Sequence, residues 1–195
     1  MAHSKIKIAV IIGSLRSNSY TSRALNIVID EFKKYKDVEC EVFDPKDLHL
    51  NFPGKAAHPG NKDFQERVAK ANGIILATPE YHGSYSSVIK LVIENLGYPS
   101  VISGKPVALL GVADGQIGAI KALEHLRSVC SHIGAIVLPS PVSVAGAHKI
   151  FDEQGRCSEP KVEARIRALA TDLVKFIKRH TSSSISLEDI VRDTK

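Results

Sequence analysis

The sequence has few of the features that mark a secreted or metal-organised protein. Its three cysteines, Cys40, Cys130 and Cys157, are widely spaced, form no C-x-x-C motif and are not accompanied by clustered histidines. This pattern argues against both a disulfide framework and a structural zinc site. We therefore expect reduced thiols and predict no metal site.

Long hydrophobic runs and targeting segments are also missing. The longest apolar runs, such as residues 8–12, are far shorter than the roughly 20 residues that a membrane span requires. The N-terminus does not show the charged region, apolar stretch and small-residue cleavage site of a secretion signal. We expect a cytoplasmic protein with no membrane span.

Charge of one sign is not concentrated in any segment. The formal net charge is +5, but the lysines and arginines are spread along the chain and often lie near acidic residues. A nucleic-acid groove requires clustered basic residues, so we predict no nucleic-acid partner. A mildly positive chain is better suited to attracting small anionic cofactors.

The chain shows neither an internal repeat nor a low-complexity block, and its 195 residues suit one domain with a single core. We predict a domain over 1–181 and a C-terminal tail over 182–195. The tail is either frayed or an arm laid on a neighbouring subunit. The irregular stretches 44–61 and 139–160 are too short to link domains.

Short apolar segments alternate with helical patterns along the chain. The segments are rich in Val, Ile and Leu, as parallel strands buried on both faces should be; they cover 5–12, 38–43, 73–77, 106–112 and 135–138. Between and after them run apolar stripes with helical spacing, formed by Leu25, Val28, Ile29 and Phe32, by Ile117, Ile120, Leu123 and Ile133, and by Val162, Ile166, Leu169, Leu173 and Ile177. The alternation predicts a three-layer α/β domain in which helices cover both faces of a five-stranded parallel sheet.

A further helix is predicted over 86–96. Apolar residues surround most of its circumference: Val88, Ile89, Leu91, Val92, Ile93 and Leu96. A helix that is half exposed to water would not have this pattern. Either the core or another subunit must therefore cover it.

An open parallel sheet binds ligands beyond the carboxyl ends of its strands. The loops to consider are "GSLRSNSYT" after the first predicted strand, "TPEYHGSYSS" after the third and "VADGQIGA" after the fourth. Each is rich in the small, polar or glycine residues that allow main chain to approach a ligand closely.

The first of these loops has the chemistry of a phosphate site. A helix that begins near Ser19 presents free N–H groups and about half a positive charge at its start. Hydroxyls of Ser14, Ser17, Ser19 and Thr21 add donors, and Arg16 adds a guanidinium suited to phosphate oxygens. These residues favour a phosphate monoester as the ligand.

Other phosphate-binding classes lack their residues here. There is no G-x-x-x-x-G-K-[ST] loop and no G-x-G-x-x-G turn, and the loop contains no cysteine that could serve a phosphatase as nucleophile. One plainer alternative is that Ser19 only caps the helix, as serine often does. That alternative would leave Arg16 unexplained.

"GSLRSNS" together with "TPEYHGSYSSVIKLVIENL" resembles the NADPH-dependent FMN reductase family, which includes quinone-, chromate- and azo-reducing members and flavoproteins of arsenical-resistance operons. The resemblance spans about 5–180. It implies a flavodoxin-like fold with strand order 2-1-3-4-5 and bound flavin mononucleotide (FMN). In that order the first and third strands are neighbours, so the two motif loops meet across one crevice.

The resemblance also implies which residues bind FMN. The phosphate would be contacted by Ser14, Arg16 and Ser19 and flanked by Tyr20 and Thr21. The isoalloxazine would be lined, partly through main-chain groups, by Pro79, Glu80, Tyr81, His82, Gly83 and Ser84. Its other edge would lie against Asp114, Gly115 and Gln116.

Three of these side chains have alternative interpretations. Tyr81 and His82 could simply pack at a sheet edge, and His82 as an acid or base is only a hypothesis. Glu80 is either a general base or a residue that orients its loop or bonds at a subunit boundary. Two positions depart from the common family pattern: His82, where many members have asparagine, and Ser87, where many have proline. We assign no catalytic residue, because the flavin itself carries the chemistry.

The resemblance implies an oxidoreductase. FMN would take a hydride from NADPH or NADH by a ping-pong mechanism and reduce a small-molecule acceptor: quinones, free flavin, azo or nitro compounds, or metal oxyanions. The alternatives are a flavodoxin-like FMN electron carrier without nicotinamide turnover and a nucleotide-binding regulatory module. Flavodoxins tend to be acidic monomers, whereas this chain is basic and is predicted to form a homodimer or homotetramer, which favours the reductase.

Overall fold

The computed structural model describes residues 5–56 and 58–181, so the predicted tail over 182–195 lies outside the described residues. Each predicted strand segment forms a strand at or within one residue of its predicted start. The strands are β1 (Ile6–Ile12), β2 (Val38–Phe43), β3 (Gly73–Tyr81), β4 (Ser84–Tyr85), β5 (Pro106–Val112), β6 (Ile136–Val137) and β7 (Val142–Val144).

The strands form one sheet in the order β2-β1-β3-β5-β6, and every pair along this path is parallel. The three-layer α/β class is therefore confirmed. The predicted count of five strands is wrong, because β4 pairs antiparallel with β3, and β7 pairs with β5 beyond β6. β6 and β7 together occupy the position of the fifth predicted strand.

Two prolines explain why this fifth strand is divided. Pro139 and Pro141 lie between β6 and β7, and neither has an N–H to donate to the ladder. Ser140, between them, has a φ of 60°, which no strand residue adopts. The same stretch, predicted to be irregular, therefore contains a strand.

The helices lie on both faces of the sheet. They are α1 (Tyr20–Phe32), α2 (Gly60–Ala69), α3 (Ser87–Glu94), α4 (Ile120–His132), α5 (Ala147–Ile150) and α6 (Pro160–Thr181), with a 3-10 turn at Pro45–Asp47. α1, α5 and α6 pack on one face around residues such as Phe32 and Leu173. α2, α3 and α4 pack on the other around Phe64, Val92 and Leu126.

Helix α2 was not predicted, and the 3-10 turn and the start of α2 fall within the stretch 44–61 that was predicted to be irregular. α2 buries only Asn61, Phe64 and Val68. Three inward residues, one of them polar, give too short an apolar stripe to be recognised as helical.

The predicted stripe of α4 is wrong at its beginning. Ile117 and Ile120 are 77% and 48% exposed, and the helix instead buries Ala122, Leu123, Leu126 and Cys130. Ile117 precedes the helix, so it does not share its periodicity. The stripes of α1 and α6 are confirmed, since Leu25, Val28, Phe32, Ile166, Leu169, Leu173 and Ile177 are all buried.

The core covers most of the apolar circumference of α3. Ile89, Val92, Ile93 and Leu96 are buried, whereas Val88 and Leu91 are half-buried in the single chain. An oligomer stays a prediction.

All three cysteines are free, as predicted, and burial raises the pKa of Cys130 to about 12. Within the described residues, none of the helices combines the length and apolar composition needed to cross a membrane.

Candidate functional site

A cleft of about 700 Å³ lies at the carboxyl ends of β1, β3 and β5. The three loops predicted to bind a ligand line it together. Of the predicted site residues, the cleft is lined by Ser14, Arg16, Ser19, Tyr20, Thr21, Pro79, Glu80, Tyr81, His82, Gly83, Asp114, Gly115 and Gln116. Ser84 is not among the lining residues, and its Oγ lies 3.1 Å from Nδ1 of His125.

The lining also includes Ser17, whose hydroxyl was expected to add a donor to the phosphate site. It further includes residues not assigned to the cofactor from the sequence: Asn18, Arg23, Val112, Ala113, Ile117, Gly118 and Ala147. Asn18 lies within the first motif, so that motif could have indicated it. Ala147 begins the short helix α5 and reaches the cleft only through the fold. No sequence pattern pointed to it.

The start of α1 forms one end of the cleft. Ser19 is the N-cap residue, and its Oγ accepts a hydrogen bond of 3.1 Å from the N–H of Ser22. Ser19 therefore caps the helix, but this does not explain the presence of Arg16. The N–H groups of Tyr20 and Thr21 find no acceptor within the described part of the chain. Such groups, with the helix dipole, are suited to an anion.

Side chains of the first loop add further donors at this end of the cleft. Ser14 is 3% exposed, and its Oγ accepts a hydrogen bond of 3.3 Å from the N–H of Arg16. The Arg16 side chain is exposed, and its guanidinium forms no ion pair or hydrogen bond with residues 5–56 or 58–181. This end therefore offers a buried hydroxyl, free amides and an uncompensated cation.

A buried serine joins the first loop to the loop after β3. Ser86 Oγ donates to the Gly13 carbonyl at 2.6 Å and accepts from the Ile89 N–H at 3.1 Å, which caps α3. The Gly13 N–H donates to Ala77 O, so the next donor in a parallel ladder would be the N–H of residue 79. Residue 79 is proline and has no N–H. The Ser86 hydroxyl supplies the missing donor.

The second motif contains a β-hairpin that was not predicted. β3 continues to Tyr81, Glu80 pairs with Tyr85, and Tyr81 pairs with Ser84. The two-residue turn consists of His82 and Gly83, with φ of 51° and 72°. A hairpin turn with two positive φ angles favours Asn-Gly, and histidine is among the residues that tolerate this conformation.

This hairpin determines where Tyr81 and His82 lie. Both side chains are exposed, and both line the cleft. The alternative in which they pack at a sheet edge therefore receives no support from the geometry.

The carboxylate of Glu80 has a structural partner. Its Oε2 accepts a hydrogen bond of 3.0 Å from the N–H of Ala122 in the first turn of α4. A carboxylate is favourable at a helix N-terminus. The geometry supports the interpretation in which Glu80 orients its loop.

The third loop is held by main-chain and side-chain contacts. Gly115 O accepts from the N–H groups of Gly118 and Gly146 at 3.2 and 3.1 Å. The Asp114 carboxylate lies 2.5 Å from Nδ1 of His148 and accepts from its main-chain N–H at 3.0 Å. The hydrogen bond from the His148 ring, and to a smaller extent the one from its main-chain N–H, hold the pKa of Asp114 below its usual range.

Charge is divided along the cleft. Its lining arginines, Arg16 and Arg23, belong to the first loop and α1. Its lining carboxylates are Glu80, near the end of β3, and Asp114, which follows β5. The cavity volume is in the range of small-molecule and cofactor sites. The arrangement suits a ligand with a phosphate at one end and a neutral, flat group at the other.

Comparisons with known proteins give a consistent result. A model of the NADPH-dependent FMN reductase family matches residues 6–149. The FMN-dependent NADPH-azoreductase of Staphylococcus aureus (strain NCTC 8325 / PS 47) is 30% identical over 178 residues, which cover 86% of this chain and 93% of the azoreductase.

Two solved structures show the same fold. The flavoenzyme NAD(P)H:(acceptor) oxidoreductase FerB from Paracoccus denitrificans has a TM-score of 0.76 at 23% identity, covering 90% of this chain and 98% of FerB. A flavodoxin from the domain Archaea has a TM-score of 0.65 at 14% identity, covering 89% of this chain and 99% of the flavodoxin. The predicted flavodoxin-like class is confirmed.

Proposed function

Because the chain belongs to the NADPH-dependent FMN reductase family, we propose that its cleft holds FMN, with the phosphate at the start of α1 and the ring between the loops after β3 and β5. The chain is an NAD(P)H-dependent oxidoreductase whose cofactors are FMN and NADPH.

The observation that carries the proposal is the set of unused donors at one end of the cleft. The N–H groups of Tyr20 and Thr21, the buried Ser14 hydroxyl and the unpaired Arg16 guanidinium converge there. Charge-assisted hydrogen bonds of this kind are the strong ones in proteins. A phosphate monoester would satisfy all of them together.

The loops after β3 and β5 would hold the ring. The main chain of the hairpin at His82 and Gly83, with Pro79 and Tyr81 beside it, provides one wall, and Asp114, Gly115 and Gln116 provide the other. Bound FMN supplies the two-electron chemistry. The protein positions the ring, limits access of water and leaves one side open to substrates.

A single open cleft supports a ping-pong order. NADPH, or NADH, and the electron acceptor would occupy the same open side in turn, so the first product leaves before the acceptor binds. We propose that the acceptor is a quinone, free flavin, an azo or nitro compound, or a metal oxyanion. The name of the Staphylococcus aureus relative, an azoreductase, supports azo compounds.

We further propose that the protein works in the cytoplasm as a homodimer or homotetramer. The three free thiols suit a reducing compartment. Half-buried Val88 and Leu91 on α3 provide apolar surface for a second copy. Gel filtration at micromolar concentration would detect the assembly, and a monomer would contradict it.

The test is a titration of the apoprotein with FMN, followed by quenching of flavin fluorescence. Binding of about one FMN per chain, and bleaching of the yellow colour when NADPH is added without oxygen, is the expected result. Arg16→Ala should weaken FMN binding roughly tenfold or more. Arg165→Ala, which removes an exposed arginine of α6 outside the cleft lining, is the matched control.

Other outcomes would change the assignment. FMN binding without bleaching would favour the electron carrier, and no FMN binding would refute the proposed site. Parallel lines in double-reciprocal plots at several acceptor concentrations would support the ping-pong order, whereas intersecting lines would contradict it.

A further inference from the structure

We propose that Arg23 is a second anion-binding residue of the cleft, held in place by the loop 151–157 and directed at the same phosphate as Arg16. This inference rests on the proposed function, because it takes the phosphate of FMN as the ligand. Arg23 lines the cleft but belongs to neither sequence motif, and it was not predicted as a site residue.

Arg23 is fixed in position before any ligand binds. Its Nη1 donates to the main-chain carbonyl of Asp152 at 2.7 Å, and its Nε donates to Asn18 Oδ1 at 3.4 Å. The guanidinium carbon lies 5.1 Å from the centre of the Tyr20 ring. The Tyr20 ring is in turn stacked on Phe151, with 6.2 Å between ring centres. Three residues therefore contact this one side chain, and Phe151 supports one of them, Tyr20.

The loop 151–157 also supports the aliphatic part of Arg23. Phe151 and Cys157 form an antiparallel bridge that closes the loop. Within it Gly155 has a φ of 79°, and a Cβ there would lie 3.4 Å from Arg23 Cγ. A larger residue at this position would be strained because of the positive φ. Fixing an arginine in advance removes rotamer entropy that binding would otherwise lose.

Among the described residues, no carboxylate compensates the charge of Arg23. The nearest acidic residue in the loop, Asp152, offers only its carbonyl, because its two carboxylate oxygens accept hydrogen bonds of 2.8 Å from the N–H and Nε of Arg156. Within the described residues, no Asp or Glu oxygen lies within ion-pair distance of Arg23. A guanidinium has five N–H donors, and the contacts above use two, so three are left for an anion.

The loop that holds Arg23 lies beyond the region matched by the family model, which ends at residue 149. The phosphate end of the cleft is thus completed by a segment that the family pattern does not include.

The experiment compares the affinities of FMN and riboflavin, which differ by the phosphate. Unaltered protein, Arg23→Ala, Arg23→Lys and the control Arg165→Ala are titrated with each flavin by fluorescence quenching. For Arg23→Ala we expect FMN to bind roughly 10- to 100-fold more weakly than it binds the unaltered protein. The affinity for riboflavin should change by no more than about twofold, because Arg23 would contact only the phosphate. Arg23→Lys keeps the charge without the fork and should weaken FMN binding less than Arg23→Ala does.

The two flavins separate direct contact from a loosened loop. An equal loss of affinity for FMN and riboflavin in both Arg23 variants would mean that Arg23 only supports the loop. Unchanged FMN binding would mean that Arg23 has no role in binding. Either result overturns the inference and leaves the proposed function in place. Failure of the unaltered protein to bind FMN would overturn both.

Discussion

Replacing Ser86 by alanine should destabilise the protein more than any exposed serine substitution, because one hydroxyl serves two buried groups. Ser86 is 1% exposed. Its Oγ caps α3 through the Ile89 N–H and supplies the donor that Pro79 cannot give to the Gly13 carbonyl. Alanine removes both interactions.

The magnitude follows from these two losses. An N-cap serine contributes about 0.5–2 kcal/mol, and a buried carbonyl left without its donor costs about 1–3 kcal/mol. Since the two effects share one atom, we expect about 2–4 kcal/mol in total rather than a strict sum. With a urea m-value of about 2 kcal/mol/M, the unfolding midpoint would fall by about 1–2 M.

Urea unfolding followed by circular dichroism measures this shift. Ser87→Ala is the matched control, since Ser87 is exposed in the first turn of the same helix, and its unfolding free energy should change by less than about 0.5 kcal/mol. If Ser86→Ala were no more destabilising than Ser87→Ala, the shared hydroxyl would not be what joins the two loops.

Two further predictions concern the hairpin turn and the contact between α1 and α6. His82→Asn should keep the stability of the protein, whereas His82→Val should lower it by about 1–2 kcal/mol because position 82 has a positive φ; equal urea midpoints would refute the turn assignment. The Arg167 guanidinium donates a hydrogen bond to the Asp30 carboxylate at 2.9 Å and thereby lowers the pKa of that carboxyl. The ion pair therefore stabilises the fold at pH values above the ordinary pKa of 3.8. This stabilisation is lost as the pH falls through the lower pKa of the folded state. Arg167→Gln should therefore flatten the acid side of the stability profile between about pH 5 and pH 2, and an unchanged slope would contradict this.

The parts of the fold that follow from local patterns could be predicted from the sequence. Runs of apolar residues identify β1, β3 and β5 because both faces of those strands are largely buried. β2 is an edge strand and is largely exposed, so the expectation of burial on both faces is wrong for it. The first motif predicts the donor-rich end of the cleft because its hydroxyls, its arginine and the start of α1 are adjacent in the chain.

The parts that were missed depend on distant contacts or on turn geometry. Arg23 obtains its role from Asp152, 129 residues away, and no spacing within the first motif indicates that contact. The hairpin after β3 depends on positive φ at His82, a position where asparagine gives a clearer signal than histidine. Ser84 falls outside the cleft lining because β4 pairs with β3 and places its Oγ near His125.

The division of charge along the cleft also governs how an anionic ligand arrives. With Arg16 and Arg23 at one end and Glu80 and Asp114 at the other, the field in the cleft turns a phosphate-bearing molecule before contact, so that its charged end leads toward α1. Encounters in the reverse orientation are repelled. Raising the ionic strength should therefore slow association of FMN more than it speeds dissociation. The residues proposed to hold the phosphate would thus also select the direction from which it enters.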